Sequence, residues 1–208
     1  MNLIAIECST NICSVASFKD DCLINVIESD NALSHSKNLP LMFKSIISDF
    51  NNLKEDVDCF AISIGPGSFT SLRISLSFVK GLAFGLKKRI IPVPTIESLA
   101  TSINNNSNYH IIIDSYRDKC FIQEFDGLKY VSEPSIRLIS DIGEIKSDIY
   151  GYSDVISKIN QVTPSAILVG QYAINNESDL IKNYNMDDIN PIYLSDTEYV
   201  KIDDTGSK

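Results

Sequence analysis

The stretch AISIGPGSFTSLRISLSFVKGLAFGL, residues 61–86, contains the change of chain direction on which the fold depends. It begins with an apolar, β-branched run, and the apolar spacing after the turn is typical of a helix. Gly65 and Gly67 can adopt backbone angles that other residues avoid, and Pro66 between them fixes its own φ. Ser68, the next residue, is a favourable N-cap. The segment therefore predicts a strand, an abrupt turn and a helix whose N-terminus is a potential anion-binding site.

The predicted helix has two apolar sides when its residues are placed about 100° apart. One side, expected to pack on the strand, contains Leu72, Leu76, Val79, Ala83 and Leu86. The nearly opposite side contains Ile74, Phe78, Gly81 and Gly85. The only plainly polar strip consists of Arg73, Ser77 and Lys80. Because a surface helix needs only one buried side, the second side predicts cover from a neighbouring helix of this chain and from a partner protein.

Composition and charge limit the classes of function. The chain has 208 residues, a hydrophobic content of 44%, a net charge of −9 and a pI near 4.7. So acidic a chain is a poor candidate for binding nucleic acid phosphates by itself, which favours contact with RNA only through a partner. We expect no membrane contact and a cytoplasmic location, because no apolar run approaches the ~20 residues of a bilayer span and the N-terminus lacks a basic signal-peptide region.

The cysteines and histidines predict no metal centre. The five cysteines contain no C-x-x-C pair and mostly lie in apolar runs, so we expect buried free thiols rather than disulfides or a zinc site. His35 and His110 are the only histidines and form no H-x-x-x-H motif, and we interpret His35 as a capping or packing residue before a helix. There is no G-x-S-x-G elbow, and GPGSFT lacks the lysine of a phosphate-binding loop. We therefore predict no catalytic residues and no metal ligands.

The remaining elements are predicted from apolar periodicity and turn residues. In the first half we expect strands at residues 2–6, 13–18, 22–28, 57–64 and 90–93, and helices at 38–50, with Asn38 as N-cap, and at 95–100. In the second half we expect strands at 109–113, 120–125, 135–139, 148–152 and 166–169, and helices at 141–146 and 171–183. The polar stretch 102–108 predicts a boundary between a lobe at 1–103 and a smaller lobe at 104–194, followed by a polar, mobile tail at 195–208. The class is α/β with mixed sheets.

Polar residues follow the first predicted strand and precede a hairpin. In actin-like ATPases, the first phosphate-binding loop is formed in the same way, by a strand that ends in an acidic residue, then Ser-Thr, then a hairpin. The candidate nucleotide-binding residues, in a degenerate site, are Glu7, Ser9, Thr10, Gly65, Gly67 and Ser68. The alternative is that Glu7 and Ser9 only satisfy the hydrogen bonds of a turn.

Several motifs, in this order, resemble the bacterial TsaB (YeaZ-like) family: IAIECST, CSVASF, HSKNLPLMF, AISIGPGSFTSLRISLSFVKGLA and VPTIESLA. The resemblance is specific over about the first hundred residues. Further on, IIIDSYRDKCF is similar to a strand-Asp-Ala-Arg segment of the family, with Asp114 matching, and PIYLS is similar to its closing Pro-x-Tyr-Leu-Arg, with Ser195 in place of arginine. Glu7 stands where the family usually has aspartate, and Ser71 where it usually has glycine.

The resemblance implies an actin-like ATPase (ribonuclease H-like) fold with two lobes and a reduced second lobe. It also implies a non-catalytic scaffold that pairs with a TsaD-like catalytic subunit through helices of the first lobe, with a TsaE-like ATPase joining the pair. Such a complex transfers a threonylcarbamoyl group to adenosine 37 of tRNA, and tRNA is contacted only through the complex. The chain would have no intrinsic cofactor, and ATP or ADP would bind at the joint with the partner subunits.

The second apolar side of the central helix and the resemblance together predict the partner surface. We expect it to consist of Leu39, Met42, Phe43, Arg73, Ile74, Ser77, Phe78 and Gly81. Two alternatives stay open. One is a small ATP-binding phosphotransferase of the actin-like superfamily that uses Glu7, Ser9 and the GPGSFT turn, with Asp114 holding magnesium. The other is a homodimer that forms when the chain is alone.

Overall fold

The computed structural model describes residues 1–30, 35–177 and 186–194 and confirms the predicted α/β class with two mixed sheets. The first sheet consists of β1 (Leu3–Glu7), β2 (Cys13–Lys19), β3 (Cys22–Ser29), β4 (Cys59–Gly65) and β5 (Arg89–Pro94). The second consists of β6 (Asn108–Asp114), β7 (Lys119–Asp126), β8 (Lys129–Tyr130), β9 (Ser135–Leu138), β10 (Asp148–Tyr152) and β11 (Asn160–Gln161). The helices are α1 (His35–Ile46), α2 (Leu53–Asp56), α3 (Phe69–Leu86), α4 (Thr95–Ala100) and α5 (Ala166–Asn175), with 3-10 turns at Ile47–Asp49, Ile139–Glu144 and Met186–Asp188.

Each sheet combines antiparallel hairpins with parallel crossovers. The first has the order β3-β2-β1-β4-β5, in which β1 pairs antiparallel with β2 and parallel with β4. The second has the order β11-β10-β6-β7-β8, with β9 paired to β7. In it, β6 pairs antiparallel with β7 and parallel with β10. Because β1, β4 and β5 run parallel, the residues that follow them emerge at one edge of the sheet, which is where the candidate site forms.

The first sheet is covered on both faces. The residues from α1 and α3 pack with one set of buried strand residues, and those from α5 pack with the other set, which includes Leu3, Ala5 and Phe18. Helix α4 instead packs with apolar residues of the second sheet, among them Ile111. The α5 helix lies in the predicted second lobe yet packs on the first sheet. The division at residues 103 and 104 stays a prediction.

The strand predicted at residues 166–169 is wrong, because these residues open α5. The side chain of Ser165 caps the helix by accepting a hydrogen bond from the backbone N–H of Ile167. The apolar run resembles a buried strand because α5 is covered on more than one side: Val169 packs with the first sheet and Leu168 with the second. A short apolar run cannot by itself separate a buried strand from a buried helix.

The helix predicted over residues 38–50 begins earlier and ends sooner than expected. It starts at His35, whose side chain is buried, and ends at Ile46. Asn38 is not its N-cap, because its side chain instead donates a hydrogen bond to Ser29 Oγ at 3.2 Å. Of the helix predicted at 171–183, the part up to residue 177 forms the end of α5 and the turn after it, and residues 178–183 lie outside the described residues. The predicted tail at 195–208, including Ser195, also lies outside them.

Helix α3 is the one helix of the described ranges that is long and apolar enough to cross a membrane by length and composition alone. This corrects the expectation that no apolar run approaches that length. A helix in the core of a soluble protein passes the same test, so the finding is weak evidence for a membrane span. The side of α3 that carries Leu72 and Val79 is buried in the core.

Gly170 tests the packing of α5 on the first sheet. Gly170→Ala should lower the free energy of unfolding by about 1 to 3 kcal/mol, because a Cβ there would overlap the buried ring of Phe18. Gly85→Ala in α3 should instead raise it by about 0.5 to 1 kcal/mol, since its Cβ would have no atom within 4 Å and alanine is the better helix former. Urea unfolding followed by circular dichroism measures both. An unchanged midpoint for Gly170→Ala would contradict this packing.

Candidate functional site

A cavity of about 770 Å³ lies between the two sheets, within the size range of small-molecule sites. From the first sheet it is lined by Ser9, Thr10 and Asn11 after β1 and by Gly67, Ser68 and Phe69 at the start of α3. From the second sheet it is lined by Ile113, Asp114, Ser115, Tyr116, Phe121, Tyr152 and Asp154, and it is completed by Ile192, Tyr193 and Leu194. Asn11 spans the cavity mouth by donating a hydrogen bond from Nδ2 to Asp154 Oδ2 at 3.4 Å.

The glycine turn and the loop after β1 are held together by backbone contact. The N–H of Ser68 donates a hydrogen bond to the carbonyl oxygen of Ser9 at 2.6 Å. A Cβ on Gly67 would collide with the backbone of Ser9, so only glycine allows this approach. Gly65 has a φ of +100° and faces Leu72 and Ile192 rather than the cavity.

The predicted anion-binding capacity of the α3 N-terminus is reduced by these contacts. Ser68 Oγ caps the helix by accepting a hydrogen bond from the N–H of Ser71, as the sequence predicts. The N–H of Ser68 is used by Ser9, so two of the N–H groups that could face an anion already have partners. No lysine or arginine is among the described residues that line the cavity, which leaves phosphate binding to backbone groups or to a cation.

Glu7 lies behind the cavity rather than in it. Its side chain is fully buried, and Oε1 accepts a hydrogen bond from the N–H of Ser9 at 2.5 Å. Oε2 is buried without a hydrogen-bond partner among the described residues. Burial raises the pKa of the Glu7 carboxyl, and the hydrogen bond from the backbone N–H of Ser9 opposes this shift only in part. The geometry matches the interpretation in which Glu7 satisfies the turn.

Two buried polar atoms that have no hydrogen-bond partner among the described residues belong to opposite walls of the cavity. One is the Oγ of Ser9, and the other is Oδ1 of Asp114 at the end of β6. The second carboxylate oxygen of Asp114 accepts a hydrogen bond from the N–H of Asp154 at 2.8 Å. Buried polar atoms without partners cost stability, so these two identify where a polar ligand would gain most from binding. Nucleotide binding by the predicted residues stays a prediction.

A second candidate site is the solvent-facing side of α3. We define the exposed strip of α3 as Ile74, Ser77, Gly81, Phe84 and Gly85, which share one side at helical spacing. The side chain of Phe84 is 80% exposed, and no atom lies within 4 Å of the Cβ positions of Gly81 and Gly85. The strip is therefore an apolar surface with room for another chain to approach closely.

Elements of this chain border the exposed strip on both sides. Phe78 packs edge-on against Phe43 of α1, with ring centroids 5.4 Å apart. On the other side, Arg73 donates a hydrogen bond from Nε to the hydroxyl of Tyr193 at 2.7 Å and lies over the ring of Phe69 at 3.9 Å. The prediction that a neighbouring helix covers part of the second apolar side of α3 is confirmed, because α1 covers Phe78.

Three residues predicted to contact a partner lie inside the core. Leu39, Met42 and Phe43 are 1%, 7% and 6% exposed, respectively, because the apolar side of α1 faces the sheet and α3. They pack beneath the exposed side of α3 and offer almost no area to a partner. The prediction that these three residues contact a partner is therefore corrected. The other predicted residues, Arg73, Ile74, Ser77, Phe78 and Gly81, are at least partly exposed.

Several residues that line the cavity are not predicted from the sequence. Tyr152 and Asp154 come from the end of β10, and Tyr193 from a segment without regular structure. No short motif marks Tyr152 or Asp154. The similarity of PIYLS to the closing segment of the family was the available signal for Tyr193.

Comparisons with known proteins agree with this fold. A family model described as TsaD: tRNA N6-adenosine threonylcarbamoyltransferase matches residues 23–136, more than half of the chain. The tRNA threonylcarbamoyladenosine biosynthesis protein TsaB of Haemophilus influenzae is 26% identical over 161 residues, covering 76% of this chain and 63% of the relative. TsaB of Escherichia coli is 31% identical over 100 residues, covering 48% of this chain and 43% of the relative. The matched segment thus spans about half the length of these curated relatives.

The fold has a close counterpart among solved structures. The structure of YeaZ from Pseudomonas aeruginosa superposes with a TM-score of 0.75 at 19% sequence identity, covering 93% of this chain and 99% of that chain. At this identity the likeness establishes the fold alone, and the fold is the one that the sequence motifs predict. From the match to the family model, the similarity to curated relatives and the shared motifs, we conclude that the chain belongs to the TsaD-type threonylcarbamoyltransferase family and, within it, to the TsaB (YeaZ-like) proteins.

Proposed function

We propose that this chain is a non-catalytic scaffold subunit in the biosynthesis of threonylcarbamoyladenosine in tRNA. In this proposal it pairs with a TsaD-like catalytic subunit through the exposed strip of α3, and a TsaE-like ATPase joins the pair. The pair carries out threonylcarbamoyl transfer to adenosine 37, and tRNA is held by the partners. The family membership supports the pathway, and the surface of α3 supports the pairing.

The proposed pairing rests on one observation: two glycines of α3 with open space above them lie beside exposed apolar side chains. Gly81 and Gly85 leave space above the helix backbone, while Phe84 and the half-buried Ile74 offer apolar contact beside it. Small residues let the ridge of another helix approach closely, and aromatic residues then gain area on burial. Arg73 and Lys80 border this surface and could meet carboxylates of a partner.

A non-catalytic role is supported by the positions of the acidic residues near the cavity. Glu7 is buried behind the cavity and bonded to a backbone N–H, so its carboxyl cannot face a bound substrate. Asp114 and Asp154 line the cavity, but the described lining residues offer no histidine, cysteine or lysine to act with them. Catalysis by one pair of carboxylates would have to proceed without the partner groups that acyl or phosphoryl transfer usually needs.

The second candidate is an ATP-binding phosphotransferase, favoured by the unpartnered oxygen atoms of Ser9 and Asp114. It requires ATP hydrolysis by the isolated chain, which should fall at least tenfold in Asp114→Asn. For a scaffold we expect no turnover above that of a buffer blank. Turnover that Asp114→Asn abolishes would replace our proposal with the enzymatic one.

Pairing is tested by size-exclusion chromatography of this chain mixed with the TsaD-like protein of the same organism, with and without ATP. A new peak that contains both proteins supports the scaffold role. A self-pair that the TsaD-like protein cannot displace would favour a structural homodimer instead. Separate elution under all conditions would contradict the pairing.

Gly81→Arg should weaken binding to the TsaD-like protein by about 100-fold, roughly 2.8 kcal/mol, because the new side chain blocks close approach to α3. It should leave the isolated chain folded, since no atom lies within 4 Å of the Cβ position. Gly143→Arg is the matched control: it is an exposed glycine with equally open space in a 3-10 turn far from α3 in sequence. Calorimetric titration measures both, and equal affinities for the two variants would contradict the assigned surface.

Glu7→Gln should make the chain more stable at neutral pH. Burial raises the pKa of the Glu7 carboxyl, so the folded state binds more protons than the unfolded state and stability falls as pH rises above the unfolded pKa of about 4.3. Glutamine has no such dependence. The stability advantage of Glu7→Gln should therefore grow from pH 4.5 to pH 8, as measured by urea unfolding.

The exposed Glu55 offers the matched control, Glu55→Gln, which removes one negative charge without changing a buried group. If the difference between Glu7→Gln and the parent chain does not depend on pH, or has the opposite slope, the buried environment assigned to Glu7 is wrong.

A further inference from the structure

Two cysteines of the first hairpin and a histidine from the start of α1 bring three side chains that can ligate a metal ion close together. Cys8 follows β1, Cys13 begins β2 on the other arm of the hairpin, and His35 begins α1. The two Sγ atoms are 3.4 Å apart, and one imidazole nitrogen of His35 completes a set in which all three atoms lie within 4.8 Å of one another. All three residues are buried, with exposures of 0%, 0% and 3%.

The imidazole of His35 is oriented by a hydrogen bond at one of its two nitrogen atoms. Its Nδ1 lies 3.4 Å from Ser71 Oγ, which in turn lies 2.9 Å from Ser68 Oγ, the N-cap of α3. Its Nε2 is buried without a hydrogen-bond partner among the described residues. A proton on Nδ1 that is donated to Ser71 leaves a lone pair on Nε2, which is the arrangement of metal-bound histidines in proteins.

The spacing of these atoms suits a thiolate-bound ion. Two sulfur atoms at about 2.3 Å from a tetrahedral zinc ion lie roughly 3.8 Å apart, so the sulfurs of Cys8 and Cys13 need to separate by only a few tenths of an ångström. The imidazole nitrogen lies within 4.8 Å of both sulfur atoms, so it needs a shift of roughly 1.3 Å at most to reach a tetrahedral N···S distance of about 3.5 Å, which a change in side-chain torsion supplies. Two thiolates neutralise a divalent ion, which makes the complex compatible with a fully buried site.

We propose that Cys8, Cys13 and His35 supply three ligands of a tetrahedral site for a thiophilic metal ion, with zinc as the ion of first choice, a water molecule as the fourth ligand and Ser71 orienting the histidine. This site does not rest on the proposed partner binding, and none of its three ligands lines the cavity. Bound metal would tie the loop that carries Ser9 to the start of α1. Through Ser71 and Ser68 it would also connect that loop to the N-terminus of α3.

The competing state of the same residues is a metal-free pair of thiols. The hydrogen bond with Cys13 and, after it, burial raise the pKa of the Cys8 thiol well above its usual value, so without metal it keeps its proton. Metal binding would release thiol protons, since only the thiolate ligates. A disulfide is a third state, and it would withdraw both sulfur atoms from metal binding.

The test uses the full chain with Cys22→Ser, which removes the exposed cysteine as an adventitious ligand. The protein is purified under reducing conditions without chelators, and its zinc content is measured by elemental mass spectrometry. It is then unfolded and refolded with Co²⁺, whose absorption reports thiolate ligation and tetrahedral geometry. We expect about one zinc per chain and thiolate-to-cobalt charge-transfer bands.

Variants separate the proposed ligands from the other buried thiols. Cys13→Ser and His35→Ala should each lower metal content at least tenfold, and Ser71→Ala should weaken binding about 10- to 100-fold while keeping the same absorption bands. Cys59→Ser and Cys120→Ser are the controls, because both remove buried thiols outside the cluster and should leave metal content unchanged.

Two outcomes would overturn the site. One is a parent protein that holds less than about a tenth of an equivalent of zinc and gives only octahedral cobalt absorption after refolding. The other is a disulfide between Cys8 and Cys13 in the protein purified under reducing conditions. The cobalt spectrum of the parent chain decides the question even where a ligand variant fails to fold.

Discussion

The close backbone approach between Gly67 and Ser9 is the contact on which the rest of the structure depends. The N–H of Ser68 reaches the carbonyl oxygen of Ser9 only because residue 67 has no side chain. This contact fixes where α3 begins, and the Ser68 cap then sets its direction across the sheet. The cavity forms above the contact and the exposed strip of α3 extends away from it. A residue larger than glycine at position 67 would therefore disturb both candidate sites at once.

Helix α3 packs in the core and also carries the proposed partner surface, because nearly all of its sides are apolar. One side is buried on the first sheet, α1 covers the side at Phe78, and the segment around Tyr193 covers the side at Arg73. The exposed strip between them is the part of α3 that the described residues leave uncovered. The same composition makes the helix pass a membrane-span test by length and composition alone, although its packing explains its apolar residues equally well.

The sequence predicted the features that depend on local chemistry. The turn around Gly65 and Gly67, the Ser68 cap and the bounds of α4 follow from neighbouring residues, and the structure has them as predicted. The identity of α5 depends on contacts with two sheets, so a short apolar run could not reveal it. Cys8, Cys13 and His35 match no metal motif because α1 brings the histidine to the hairpin only in the folded chain. The burial of Leu39 likewise depends on how α1 rotates toward the sheet.

The central claim is that the exposed strip of α3 is where a TsaD-like subunit binds. Hydrogen–deuterium exchange of this chain, alone and with a saturating amount of that subunit, tests it without any substitution. The account predicts slower exchange for peptides from α3 and the adjoining surface of α1, and unchanged exchange at the β8 edge of the second sheet. Protection confined to the second sheet, with α3 unchanged, would contradict it.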